Sequence, residues 1–153
     1  MAESQPTKSL LNTEQFVQDI LTSIERERER EIIARRFGLF DRKETLEQIG
    51  ELLGITRERV RQLEKSVVAR LKATAEQGQL SHIKEVEATL VNSLHEMGEA
   101  ARVSDLSGRV TAENTRTDQS RIAFLSELCP SLVVDESGEV LRNACQGAGL
   151  ICM

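Results

Sequence analysis

The chain has 153 residues, 39% of them hydrophobic and 29% charged, which is a globular balance, too apolar for a disordered chain and long enough for one domain or two small ones. Aromatic residues make up 3%, with no Trp or Tyr, so a core of Leu, Ile, Val and Ala built on helices is expected rather than a β-sandwich. The net charge of −5 argues against a polyanionic partner until it is divided: residues 1–78 hold 14 cations and 14 anions, whereas residues 79–153 hold six against eleven.

Residues 1–10 are polar, carry Pro6, and are expected to be a disordered lead-in with no signal peptide. No apolar run approaches the ~20 residues a bilayer span needs, so a cytoplasmic location and no membrane partner are expected. Asn12 can cap a helix with Gln15 at its third position, and Phe16, Val17, Ile20, Leu21 and Ile24 follow at helical spacing. The alternating tract from Glu25 to Glu31 runs on into Ile32, Ile33 and Phe37 before Gly38. Helix with solvated ion pairs and a glycine stop is the reading that fits.

Thr45 is the next N-cap, with Gln48 three residues on, and Leu46, Ile49, Leu52 and Leu53 form a short amphipathic helix. Gly54 breaks it. Thr56 caps a second helix carrying Val60, Leu63, Val67, Val68 and Leu71. This stretch, LEQIGELLGITRERVRQLEK, meets the demands of a helix-turn-helix: Gly50 is small where the helices cross, and Gly54 can adopt the left-handed turn conformation. Arg57, Glu58, Arg61 and Gln62 then fall opposite Val60 and Leu63. Arg can bond guanine edges, Gln adenine, and Glu can accept from cytosine, as a helix in a major groove requires. A charge run of this kind is more often a solvated face, but three arginines and a Gln directly after a turn glycine favour base reading.

Gly78 and its polar surroundings suggest a boundary, dividing the chain into residues 11–76 and 84–145, with 146–153 as a tail. Beyond it, Val86, Leu90, Leu94 and Met97 predict a helix stopped at Gly98. Ser104 is expected to cap a short helix and Thr117 a longer one ending before Pro130. LVVDESGEVLR reads as two strands around a Ser137-Gly138 turn, giving the helix, helix, helix, hairpin order of a winged helix. The fold class expected is therefore mainly α, a helix-turn-helix unit followed by a small winged-helix-like α+β unit. Cys129, Cys145 and Cys152 have no metal-ligand spacing, and neither His82, in the expected linker, nor His95, on a helix, has a neighbouring Cys, Ser and Asp arrangement. Single neighbours such as Ser81 and Glu96 do not make such an arrangement around either histidine, so no catalytic residue, metal or cofactor is expected.

Residues 26–72 resemble region 4 of the primary bacterial sigma factors, nearly word for word at RFGL, TLEQIGELLG and TRERVRQLE. The resemblance implies a compact helical unit that reads the minus-thirty-five promoter element and docks on the RNA polymerase β flap. Carried over by position, it implies base contacts for Arg57, Glu58, Arg61 and Gln62, and phosphate contacts for Arg36, Thr45 and Leu46. The upstream, promoter-melting part of a sigma factor has no counterpart in residues 1–25, so initiation by this chain alone is not expected. The alternative is a polymerase-binding protein that docks on the flap without independent DNA binding. The C-terminal half resembles, in element order only, the acidic winged-helix domain of the polymerase delta subunit. Its charge leads to the expectation that residues 79–153 bind protein, or fold back on the first half's arginines, and leave DNA to residues 1–78.

Overall fold

The computed structural model describes residues 10–80 and 82–142; the lead-in up to residue 9, the tail, Cys145 and Cys152 lie outside the described residues. Helices α1 (Thr13–Thr22), α2 (Glu27–Phe37), α3 (Leu46–Leu53) and α4 (Arg57–Glu76) come first. They are followed by α5 (Ile83–Glu96), strand β1 (Ala100–Arg102), α6 (Val103–Val110), α7 (Arg116–Leu128), β2 (Leu132–Val134) and β3 (Glu139–Arg142). No helix among the described residues is long and apolar enough to cross a membrane.

The alternating-charge tract does not continue α1. Ser23 closes that helix, Ile24 turns into the core at 5% exposure, and Arg26 is extended before α2 begins. Burying Ile24 breaks the helix here, and the Arg30 guanidinium then donates to the freed Ile24 carbonyl at 3.0 Å. Nor is the tract wholly solvated, because Glu29 is buried and paired with Arg70 at 2.7 Å. Downstream, two caps shift. Helix α6 starts at Val103 without a side-chain cap, since β1 runs straight into it, and α7 is capped by Thr115 in a reciprocal box with Asp118 rather than by Thr117.

The mainly helical fold is as expected, and the hairpin gains a third strand. The sheet order is β1-β3-β2, antiparallel throughout, with Ala101 opposite Val140 and Val134 opposite the same residue on the other side. From α5 onward the order helix, strand, helix, helix, strand, strand is that of a winged helix. Strand β1 has only three residues, too few for a two-residue alternation to register in sequence.

Apolar side chains form two clusters. The small one joins Ile32 of α2, Ile49 of α3 and Val60 of α4, with Leu46, Leu53, Ile55 and Leu63 around it. The large one runs from Leu11, Val17 and Ile20 through Ile33, Val67 and Leu71 to Leu90, Leu106, Phe124 and Val140. Residues of one helix serve different clusters: adjacent Ile32 and Ile33 of α2 diverge, and so do Val60 and Val67, seven positions apart on α4. The interior of the large cluster therefore draws on residues from both sides of Gly78. His82, read from sequence as a linker residue, sits at φ +61°, stacks on Phe16 at 4.6 Å and meets Asp19 at 2.6 Å. His95 lies on the surface of α5, as expected. Cys129 is buried, and desolvation holds its thiol far above the ordinary range.

Candidate nucleic-acid interface

The α3–α4 corner is fixed by local chemistry. The Thr45 hydroxyl accepts the Gln48 N–H at 3.1 Å while the Gln48 side chain accepts the Thr45 N–H at 2.9 Å, a complete capping box. That leaves the first-turn N–H groups at Leu46 and Glu47 for an incoming anion. Gly54 ends α3 in the left-handed region at φ +72°, and its N–H donates back to Gly50. A Cβ on Gly50 would stand 2.7 Å from the Ile55 carbonyl oxygen, so only hydrogen fits where the turn crosses α3. Thr56 then caps α4 by accepting the Arg59 N–H at 3.1 Å.

With α4 anchored by Val60 underneath, Arg57, Glu58, Arg61 and Gln62 all emerge exposed from its first two turns. They are not independent. The Arg61 guanidinium grips the Glu58 carboxylate through two bonds of 3.0 and 2.6 Å, which holds that carboxyl below its ordinary range and pushes the guanidinium up. Arg57 reaches Glu47 of α3 at 3.3 Å, and Gln62 accepts from Arg59 at 3.5 Å. Arg36 stands behind this face, bound to Glu64 of α4 at 3.1 Å and directed at the Glu44 carbonyl, so it braces α2 against α4. Thus the four base-type residues share one exposed patch, Thr45 and Leu46 share one helix N-terminus, and Arg36 is engaged in an ion pair.

Sequence reasoning missed the surroundings of Arg61. It stands at the edge of a cleft of about 1350 Å³ between α4 and α7, lined also by Arg42, Lys43, Lys65, Lys72 and Arg116. Lys65 was legible, since it lies one turn beyond Arg61 on the same helix face. Arg116 was not, because its place depends on how α7 packs.

The family model for sigma-70 region 4 matches residues 26–73, and this stretch is a sigma-70 region 4 segment. RNA polymerase sigma factor sigB of Arabidopsis thaliana is 52% identical over 46 residues, which is 29% of this chain and 8% of that protein. RNA polymerase sigma factor SigA of Nostoc sp. is 39% identical over 71 residues, 46% of this chain and 17% of that protein. RNA polymerase sigma factor RpoD of Helicobacter pylori is 51% identical over 49 residues, 31% of this chain and 7% of that protein. The chain thus spans under a fifth of the length of these relatives.

Proposed function

We propose that the chain is a sequence-specific DNA-binding transcription regulator, or a partial sigma-like factor, that lays α4 in the major groove of a minus-thirty-five-type promoter element. One observation carries this reading: within a sigma-70 region 4 segment, Arg57, Glu58, Arg61 and Gln62 are exposed together on the N-terminal half of a helix held by a glycine turn. Thr45 and Leu46 would receive a phosphate at the α3 N-terminus. Arg36 would do so only by releasing Glu64.

The polymerase-docking alternative is favoured by one observation, the closed Glu58–Arg61 pair, which occupies two of the four base-type side chains. Polymerase core, through its β flap, is a proposed partner under both readings. Titrating the full chain against a minus-thirty-five duplex and a scrambled duplex, with and without polymerase core, separates them. Preference for the element by the chain alone supports DNA reading. Binding to core with no duplex binding supports docking only.

A further inference from the structure

In the acidic C-terminal half the arginines are mostly engaged. Arg109 pairs with Glu96 at 3.1 Å, Arg142 with Glu99 at 3.7 Å, and Arg121 donates to the Leu39 carbonyl at 2.7 Å while lying over Phe40. The side chains of Arg102 and Arg116 have no protein partner among the described residues, and of the two it is Arg116, exposed at the start of α7, that lines the cleft shared with Arg61. Arg42 and Lys43 from the α2–α3 loop and Lys65 from α4 line the same cleft, also without ion-pair partners among the described residues. Two of the five acidic residues there are already ion-paired, Glu64 with Arg36 and Glu127 with Lys72, while Asp135 accepts from the N–H groups of its own hairpin turn and keeps its charge. Among the described residues, Asp41, Asp135 and Glu136 remain to set against four cations without ion-pair partners.

These four cations converge from three elements on one cleft, a local positive surplus in a chain of net −5 that favours an anionic ligand there. Arg61 and Lys65 lie one turn apart on one face of α4, so a duplex read by Arg61 continues past Lys65 towards the cleft rim. The geometry points to a phosphate clamp formed by both halves, in which Arg116 of α7 joins Lys65, Arg42 and Lys43 on the DNA backbone flanking the element read by α4. This rests on the DNA-reading proposal for α4, and it replaces the expectation that residues 1–78 carry all DNA contacts. The apolar floor of the cleft, from Phe37, Val68 and Ala123, belongs to the packing of α7 rather than to the ligand.

The test is a salt series by fluorescence anisotropy with the full chain, using an element duplex, a scrambled duplex and a twenty-residue polyglutamate peptide. Arg116→Ala removes the charge at an exposed first helical position and leaves the core untouched; Arg109→Ala, whose arginine is already paired, is the control. The expected result is that Arg116→Ala weakens both duplexes roughly threefold to tenfold at low salt and flattens the slope of log affinity against log salt by about 0.9, while Arg109→Ala matches wild type. Unchanged slopes in Arg116→Ala overturn the clamp. So does loss of polyglutamate binding without loss of duplex binding, which would make the cleft a site for an acidic protein. If wild type binds both duplexes equally and Arg116→Ala still flattens the slope, the clamp stands and element reading by α4 fails. If wild type binds neither duplex, both fall.

Discussion

Glu58 and Arg61 hold each other through two near-parallel hydrogen bonds on the exposed face of α4. Under the proposed DNA reading, a base edge that takes the Arg61 guanidinium has to break this pair or share it, and the pair would set a threshold against a wrong base. Arg61→Ala and Gln62→Ala are expected to cost about 1–3 kcal/mol each on the preferred element, and much less on random duplex. Equal losses on both would remove these residues from base reading. Glu58→Ala frees Arg61 for any phosphate or base, so random-duplex affinity is expected to rise and discrimination to fall.

The same pair has a pH signature. Arg61 lowers the Glu58 carboxyl from its ordinary 4.5, so the pair is intact above that range and is lost as pH falls through the lower folded value. Element preference is therefore expected to be flat from about pH 8 to pH 5.5, within the range where Glu58 stays ionised. Following the Glu58 carboxyl carbon by NMR gives the check: its midpoint should lie below 4.5 and return towards it in Arg61→Ala. A wild-type midpoint at or above that value would mean the pair is open in solution.

Gly50 and Gly54 fail for different reasons when substituted. At Gly50 a methyl meets the Ile55 carbonyl at 2.7 Å, and backbone must move. Gly50→Ala is expected to cost about 1–3 kcal/mol and to change the α3–α4 crossing, lowering DNA affinity as well as stability. At Gly54 there is open space, and only the left-handed backbone opposes a side chain. Gly54→Ala should cost about 1–2 kcal/mol, Gly54→Asn less, and Gly54→Val more. Urea midpoints rank the four variants; a Gly54→Val as stable as wild type would contradict the turn conformation.

Arg70 supports a carboxylate that water hardly reaches, since the Glu29 side chain is 7% exposed. Removing one partner of a fully buried pair costs about 3–5 kcal/mol, but the Arg70 side chain is 58% exposed and solvent can partly replace it. Arg70→Ala is thus expected to lose about 1–2 kcal/mol in denaturant unfolding, and Arg70→Lys less. No measurable loss would show that Glu29 is hydrated without Arg70.

The helix-turn-helix was legible because its signals are local. Thr45, Gln48, Gly54 and Thr56 each bond to a group no more than four residues away, and the spacing of Ile49, Val60 and Leu63 already closes their cluster. The break between α1 and α2 was not legible, because it comes from Ile24 finding a tertiary site. Strand β1 has no pattern of its own and exists through pairing with β3. The cleft was out of reach for the same reason. Arg116 reads as a surface arginine until α7 is packed beside α4, and the low apolar periodicity of α7 reflects burial from several sides at Ile122, Phe124, Leu125 and Leu128.

The Leu11 N–H donates to the Val110 carbonyl at 2.7 Å, and the Thr13 hydroxyl donates to Asp118 at 3.0 Å, so the start of α1 is stitched to residues about a hundred positions later. Chains are made from the N-terminus, and segments fold as their contact partners emerge. The small apolar cluster of the α2–α3–α4 corner has all its members once residue 63 or so has left the ribosome. Helix α1 has to wait until α6 and α7 have been synthesised, its apolar face of Val17, Ile20 and Leu21 uncovered in the interval. A nascent chain arrested near residue 100 would therefore present a formed helix-turn-helix corner beside a sticky, unplaced first helix, the state in which a chaperone has most reason to hold it.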